Sequence, residues 1–249
     1  MDLKWTLKKA GWRGIEVIFT GAMYAWGWFF PDPIIIDGPG SVKKLPSVIK
    51  QRGIDKVLVV TDPGLMSLNL VGSLFKELKN ANVQYALYDQ TQPNPTVQNI
   101  EDALKIYNEN GCQAVIAFGG GSPMDCAKAT IARVARPNRP VKKMSGTFMV
   151  VLPALKMNGL IPPPLFAVPT TAGTGSETTI AAVVTDPDTH DKFPIMDPFI
   201  RAKYAVLDPE LTVGLPKHIT STTGMDALTH AVEGYTNIWY NNKKFNNYG

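Results

Sequence analysis

Residues 114–128 read AVIAFGGGSPMDCAK, and the fold turns on how the two halves of this stretch are joined. Ala114 to Phe118 are apolar without alternation, the pattern of a strand buried on both faces. A helix follows from about residue 123 to the Pro137 region. Between them stand Gly119, Gly120 and Gly121. A wholly apolar strand that turns through glycine into a helix belongs to a mainly parallel sheet with helices on both faces. The glycine run itself reads in two ways. Glycines let the backbone approach a ligand, and the helix start offers N–H groups to a phosphate. An ordinary strand–helix turn also uses glycine for its geometry. The run is not GxGxxG, and it does not follow the first strand, so it is not the usual dinucleotide fingerprint.

The same alternation extends in both directions. Upstream, Pro33–Asp37 reads as a strand, SVKKLPSVIKQRG as a helix, and KVLVVTD at 56–62 as a second buried strand. Residues 67–80 carry Leu68, Val71, Leu74, Phe75 and Leu78 at helical spacing. Val83–Tyr88 is the next strand, and a helix over about 97–109 aligns Ile100, Leu104 and Tyr107. Downstream of 137 the pattern loosens into strands at 166–169, 180–185 and 204–207 separated by loops, and the chain turns helical from about 216.

The 249 residues have a hydrophobic fraction of 45%, a charged fraction of 18% and a net charge of +4. Such a chain folds around a core rather than staying disordered. Its basic residues are scattered in short pairs such as Lys142-Lys143, which argues against nucleic-acid binding. Cys112 and Cys126 form no CxxC unit and read as reduced thiols of a cytoplasmic protein. Val17–Phe30 is uncharged but only fourteen residues long, short of the roughly 20 a membrane-spanning helix needs. With Trp26, Trp28, Phe29 and Phe30 it reads as a buried or oligomer-facing aromatic extension.

Three further stretches carry polar groups suited to chemistry. Asp62 ends the second strand, where a carboxylate either accepts hydrogen bonds from a ribose or caps the turn before Pro63. PTTAGTGSET at 169–178 concentrates hydroxyls and glycines, as a polar ligand site or a surface loop does. Asp226 and His230 stand four apart in TGMDALTHAVE, on one helix face. That spacing serves two metal ligands, or a dipole-favoured aspartate followed by an unrelated histidine.

Taken in order, VVTDPGL, PNP at 93–95, GGGSPMDCAK, VPTTAGTGSE, KFPI, LDPEL and TGMDALTHAVE resemble the iron-containing (group III) alcohol dehydrogenase family. The resemblance covers Phe29 to roughly Asn237. It implies the NAD-binding domain of the dehydroquinate synthase-like fold over 29–213, after an extension at 1–28. The beginning of an all-helical metal-binding domain would occupy 214–249. Carried over, it places Asp62 at the adenosine ribose and Asn94 in the cofactor cleft. Gly120, Gly121, Ser122 and Asp125 fall at the pyrophosphate, Thr170, Thr171 and Thr179 on cofactor contacts, and Lys192 near the nicotinamide. Asp226 and His230 match the first two metal ligands; the family's two histidine ligands have no counterpart in this chain.

The resemblance thus implies an NAD-dependent oxidoreductase (NADP is disfavoured by Asp62) that uses Fe2+ or Zn2+ on a small primary alcohol or aldehyde. It implies a homo-oligomer when full length. Two alternatives stand beside it: an NAD-binding fragment without catalysis, and a relative of glycerol dehydrogenase. An apolar stripe of Met225, Leu228, Val232 and Tyr235 on the last helix predicts self-association.

Overall fold

The structure, a computed structural model, describes residues 31–147 and 161–236. The aromatic extension read from residues 1–28 and the polar tail NNKKFNNYG lie outside the described residues. Pro33–Ala227 form one unit, and Met1–Asp32 with Leu228–Gly249 form another.

In chain order the strands are β1 (Ile34–Asp37), β2 (Lys56–Val60), β3 (Gln84–Tyr88), β4 (Ala114–Gly119), β5 (Gly146–Thr147), β6 (Leu165–Pro169), β7 (Ala181–Thr185), β8 (Lys192–Met196) and β9 (Tyr204–Leu207). The helices are α1 (Leu45–Gln51), α2 (Pro63–Ser67), α3 (Gly72–Asn80), α4 (Val97–Glu109), α5 (Gly121–Ala135), α6 (Glu210–Val213) and α7 (Lys217–Thr236). Six strands make one sheet in the order β1-β9-β6-β4-β2-β3, and every pairing in it is parallel. β4 lies in its interior, which is why its sequence shows no polar alternation. Val115 and Ala117 face one core with Ile100, Ala103, Ala127 and Ile131 of α4 and α5. Ile116 and Phe118 face the other, with Leu45, Ile49, Leu74 and Leu78 of α1 and α3. Each large aliphatic or aromatic side chain so buried contributes about 1.5–3 kcal/mol.

Local rules explain the helix starts. α4 opens on a capping box: Asn99 N–H donates to Thr96 Oγ1, and Thr96 N–H donates to Asn99 Oδ1. α5 is preceded by Gly120 as its N-cap, whose extended backbone carries no side chain to cap the helix. Its run of alanines lets it pack closely on the sheet.

Two expectations are corrected. The helix expected over 67–80 begins only at Gly72: the separate short helix α2 ends at Ser67, and Asn69 adopts φ 52° before α3 begins. Asn tolerates the left-handed region better than most residues, so it breaks the helix that the apolar spacing suggests. Leu68, placed on that apolar face, is exposed. The KFPI segment, first read only as a family motif, is a strand. β7 and β8 pair antiparallel, and β5 adds to β8 in a second, three-stranded sheet. Pro194 within β8 hides that strand from a propensity argument.

Among the described residues no helix is long and apolar enough to cross a membrane. Cys112 and Cys126 are free thiols, and both are buried. On α7, Met225, Leu228, Val232 and Tyr235 are exposed.

Candidate cofactor site

The parallel sheet brings the carboxyl ends of β2, β4 and β6 to one edge, where ligands of open α/β sheets bind. Gly119 ends β4 at φ +150°, a conformation that favours glycine. A Cβ there would lie 2.6 Å from Pro123 Cγ and 3.0 Å from Leu65 Cδ1. The chain then enters α5 with no side-chain cap, so the first N–H groups of a 15-residue helix point to this edge. That arrangement suits a pyrophosphate.

The hydroxyl-rich stretch lies directly over this turn. Thr170 N–H donates to Gly119 O at 3.1 Å, continuing the β4–β6 pairing. A Cβ on Gly120 would come within 3.3 Å of the Thr171 side chain, and one on Gly121 within 3.3 Å of Thr174. Thr170 is buried and Thr171 half-buried. The PNP turn closes a third side. Asn94, at φ 57°, donates its N–H to Ser122 Oγ at 3.2 Å. Lys192 Nζ, at the start of β8, donates to Asn94 Oδ1 at 2.8 Å. Asn94, Gly120, Gly121, Ser122, Thr170, Thr171 and Lys192, separate in sequence, thus converge at one edge of the sheet. Asp62 caps α2 by accepting Leu65 N–H at 2.9 Å, the capping alternative drawn from the sequence. Its position at the end of β2 keeps it on the same edge.

Asp125 and Thr179 are held by protein partners. Asp125 Oδ2 accepts Val183 N–H at 3.1 Å, and its Oδ1 accepts the Ser176 hydroxyl at 3.3 Å. Burial raises its carboxyl above the usual carboxylate range, against the pull of the Lys128 charge and these hydrogen bonds. Thr179 Oγ1 accepts from Lys128 Nζ at 2.7 Å. Lys128 was missed as a site residue. It is fully buried, and burial lowers its ammonium to about 8 despite the nearby Asp125 and Glu177 carboxylates. One signal pointed to it: in the sequence DCAKATIA it is the only cation, on a helix face that carries Asp125 and is otherwise made of small and apolar residues. The LDPEL motif is structural. Asp208 accepts the N–H groups of Gly40, Val42 and Glu210 and ties the end of β9 to the turn after β1.

Asp226 and His230 both lie on α7, Asp226 half-buried and His230 exposed. No group of three or more His, Cys, Asp or Glu among the described residues could hold a metal ion. Carboxylate and imidazole are fitting donors for a divalent cation, as two members of its shell. The start of α7 meets the hydroxyl loop: a Cβ on Gly173 would lie 2.7 Å from Thr223 O.

Residues 32–209 match the family described as iron-containing alcohol dehydrogenase, and the chain belongs to that family. It is 38% identical over 207 residues to the NAD-dependent methanol dehydrogenase of Bacillus methanolicus, covering 83% of this chain and 52% of that protein. Among solved structures it resembles a 1,3-propanediol oxidoreductase with a TM-score of 0.76 and 33% identity, over 83% of this chain and 52% of that one. It also resembles the sulfoacetaldehyde reductase of Bifidobacterium kashiwanohense in complex with NAD+, with a TM-score of 0.72 and 29% identity, over 83% of this chain and 52% of that one. The chain thus spans about half the length of these relatives.

Proposed function

We propose that this chain is the dinucleotide-binding part of an NAD-dependent oxidoreductase acting on small primary alcohols or their aldehydes. The carrying observation is the convergence of the glycine turn, the Thr170–Thr171 hydroxyls and the Asn94–Lys192 pair at the uncapped amino end of α5. In this reading residues 29–213 hold the cofactor, and residues 214–249 begin a helical metal-binding domain. Gly120, Gly121 and Ser122 receive the pyrophosphate, and Asp62 at the end of β2 receives the adenosine ribose. A 2′-phosphate there would face the Asp62 carboxylate, which favours NAD over NADP. Lys192, held by Asn94, stands at the nicotinamide side. Thr170, Thr171 and Thr179 line the hydroxyl loop, and Asp125 orders that loop from within α5.

NAD supplies the hydride chemistry when bound, and the protein's share is to orient its nicotinamide and exclude competing reactions. A divalent cation, Fe2+ or Zn2+, when bound would polarise the alcohol oxygen, with Asp226 and His230 as two of its ligands. Relatives named for methanol and lactaldehyde support the small-substrate class. The complete protein would work in the cytoplasm as a homo-oligomer.

Calorimetric titration tests the cofactor part directly: NAD should bind this chain, and NADP should bind at least tenfold more weakly. Equal or stronger NADP binding would overturn the role given to Asp62. Incubation with methanol, 1-propanol or glycerol, NAD and ferrous or zinc ion, followed at the NADH absorbance, tests the rest. Turnover that needs metal supports the dehydrogenase. NAD binding without turnover supports the second reading, a binding module whose two described donors are too few for a catalytic metal. A preference for glycerol would move the chain toward the glycerol dehydrogenases.

A further inference from the structure

Lys128 is buried among four oxygen acceptors and is claimed by none of the roles above. Its Nζ lies 2.6 Å from Ser176 O, 2.7 Å from Thr179 Oγ1, 2.9 Å from Ala181 O and 3.2 Å from Ser176 Oγ. An ammonium has three protons. The three shorter contacts take them, and the Ser176 hydroxyl turns its own proton to Asp125 Oδ1. Asp125, three residues earlier on α5, accepts Val183 N–H with its other oxygen. Two side chains of one helix face therefore hold residues 176–183 at both ends of that segment.

The helix that carries these two groups also carries Gly121 and Ser122 in its first turn. The segment they hold continues directly from the Thr170–Thr174 stretch that covers the glycine turn. Burying a lysine among carbonyls is costly, and nothing about the sheet requires it. What it provides is a fixed distance between the turn and the hydroxyl loop.

We propose that Lys128 is a positioning residue for the dinucleotide: from inside α5 it fixes the 176–181 segment, and with it the hydroxyl loop, over the glycine turn before the cofactor arrives. This rests on the dinucleotide reading of the site. Preorganisation of this kind matters most for the part of the ligand that the held loop touches. AMP needs only the Asp62 edge and the glycine turn; NAD needs the hydroxyl loop as well. The groups facing the ammonium are Asp125 on α5, Glu177 in the held loop and Arg201 after β8.

Calorimetry with NAD and with AMP, on wild type, Lys128→Met and Ser176→Ala, tests it. Lys128→Met should weaken NAD binding tenfold or more and leave AMP binding within twofold. The AMP isotherm doubles as a check that the sheet and turn are intact. Should Lys128→Met fail to fold, Ser176→Ala, which removes only the hydroxyl between Lys128 and Asp125, should show the same asymmetry at about threefold. Equal loss for both ligands, or no loss for either, in the variant that folds would overturn the proposal. Failure of wild type to bind NAD or AMP would instead overturn the cofactor reading, and the positioning role with it.

Discussion

The segment from Ser176 to Asp191 is tethered to the rest of the protein by a lysine at each end, and the two tethers behave differently. At the inner end Lys128 is buried and gives its protons to Ser176 O, Thr179 Oγ1 and Ala181 O. At the outer end Lys142 reaches Asp186 at 2.8 Å and Asp188 at 2.6 Å, in the turn between β7 and β8. Counted by contacts the two look alike, and the outer one is better paired with opposite charge. Lys142 and Asp188 are solvated whether or not they meet, and only Asp186 is partly covered, so most of their attraction is screened. Of the inner acceptors, Ser176 is buried and Ala181 half-buried while Thr179 is exposed, so losing the donor strands chiefly the two carbonyl oxygens. Burial, rather than the number of partners, decides which tether holds the loop.

The largest expected effect is at the inner end. Lys128→Met removes a costly buried charge but strands two carbonyl oxygens and leaves Asp125 without its neighbouring cation. The stranded groups outweigh the relieved charge, giving a loss of about 3 kcal/mol in chemical denaturation. A variant as stable as wild type would show that the acceptors find other donors, and the contrast between the tethers would break. Next is Gly173→Ala, in the same loop, where the new methyl group would lie 2.7 Å from Thr223 O. Backbone cannot yield as a flexible side chain does, so about 1–3 kcal/mol is expected from denaturant midpoints. The same substitution should alter protection of the α7 amide protons around Thr223 in hydrogen exchange.

How much of this was legible beforehand differs between the parts. β4 announced itself, because five unbroken apolar residues followed by three glycines fit a short strand buried on both faces of a sheet better than a helix. The glycine turn was readable for the same reason: Gly119 at φ +150° needs the residue that the sequence shows there. The convergence of Asn94, Ser122 and Lys192 was legible only through the family resemblance, since their contacts join residues far apart in the chain. Lys128 was hidden because a lysine on a helix reads as solvent-facing. Only the arrival of β7 against α5, set by tertiary packing, turns that face inward. β8 was hidden by its own proline, and the break at Asn69 by an apolar spacing that continues through it.

Alkaline pH separates the two lysines by sign. Lys128 in the folded chain releases its proton near 8, below the ordinary 10.5. Between pH 8 and 10.5 the unfolded chain therefore binds the extra proton, and this group adds stability as pH rises. Cys126 opposes it from pH 9 upward, because burial moves its thiol from 9.0 to about 12 in the folded chain. The window from pH 8 to 9 thus belongs to Lys128. There wild type should gain stability relative to Lys128→Met, with a slope of at most about 1.4 kcal/mol per pH unit. A flat difference across that window would mean that the buried ammonium keeps its ordinary affinity for the proton.

The smallest effect is at the outer tether. The hydrogen bonds to Asp186 and Asp188 raise the Lys142 ammonium, so it stays charged throughout the pH 8–9 window and contributes no slope there. Its partner Asp186 is lowered chiefly by the hydrogen bond from Lys142, so whatever the pair contributes is present above the ordinary carboxylate range and fades as pH falls through it. Lys142 and Asp188 are exposed, so both effects are largely screened. Lys142→Met should leave the denaturation midpoint and NAD affinity unchanged within error at 0.15 M salt, a value near physiological ionic strength with a Debye length of about 8 Å. A measurable loss for Lys142→Met, together with none for Lys128→Met, would reverse the comparison. The hairpin would then be held from its solvent side, and the buried lysine would be an ornament of packing rather than the clamp on the cofactor loop.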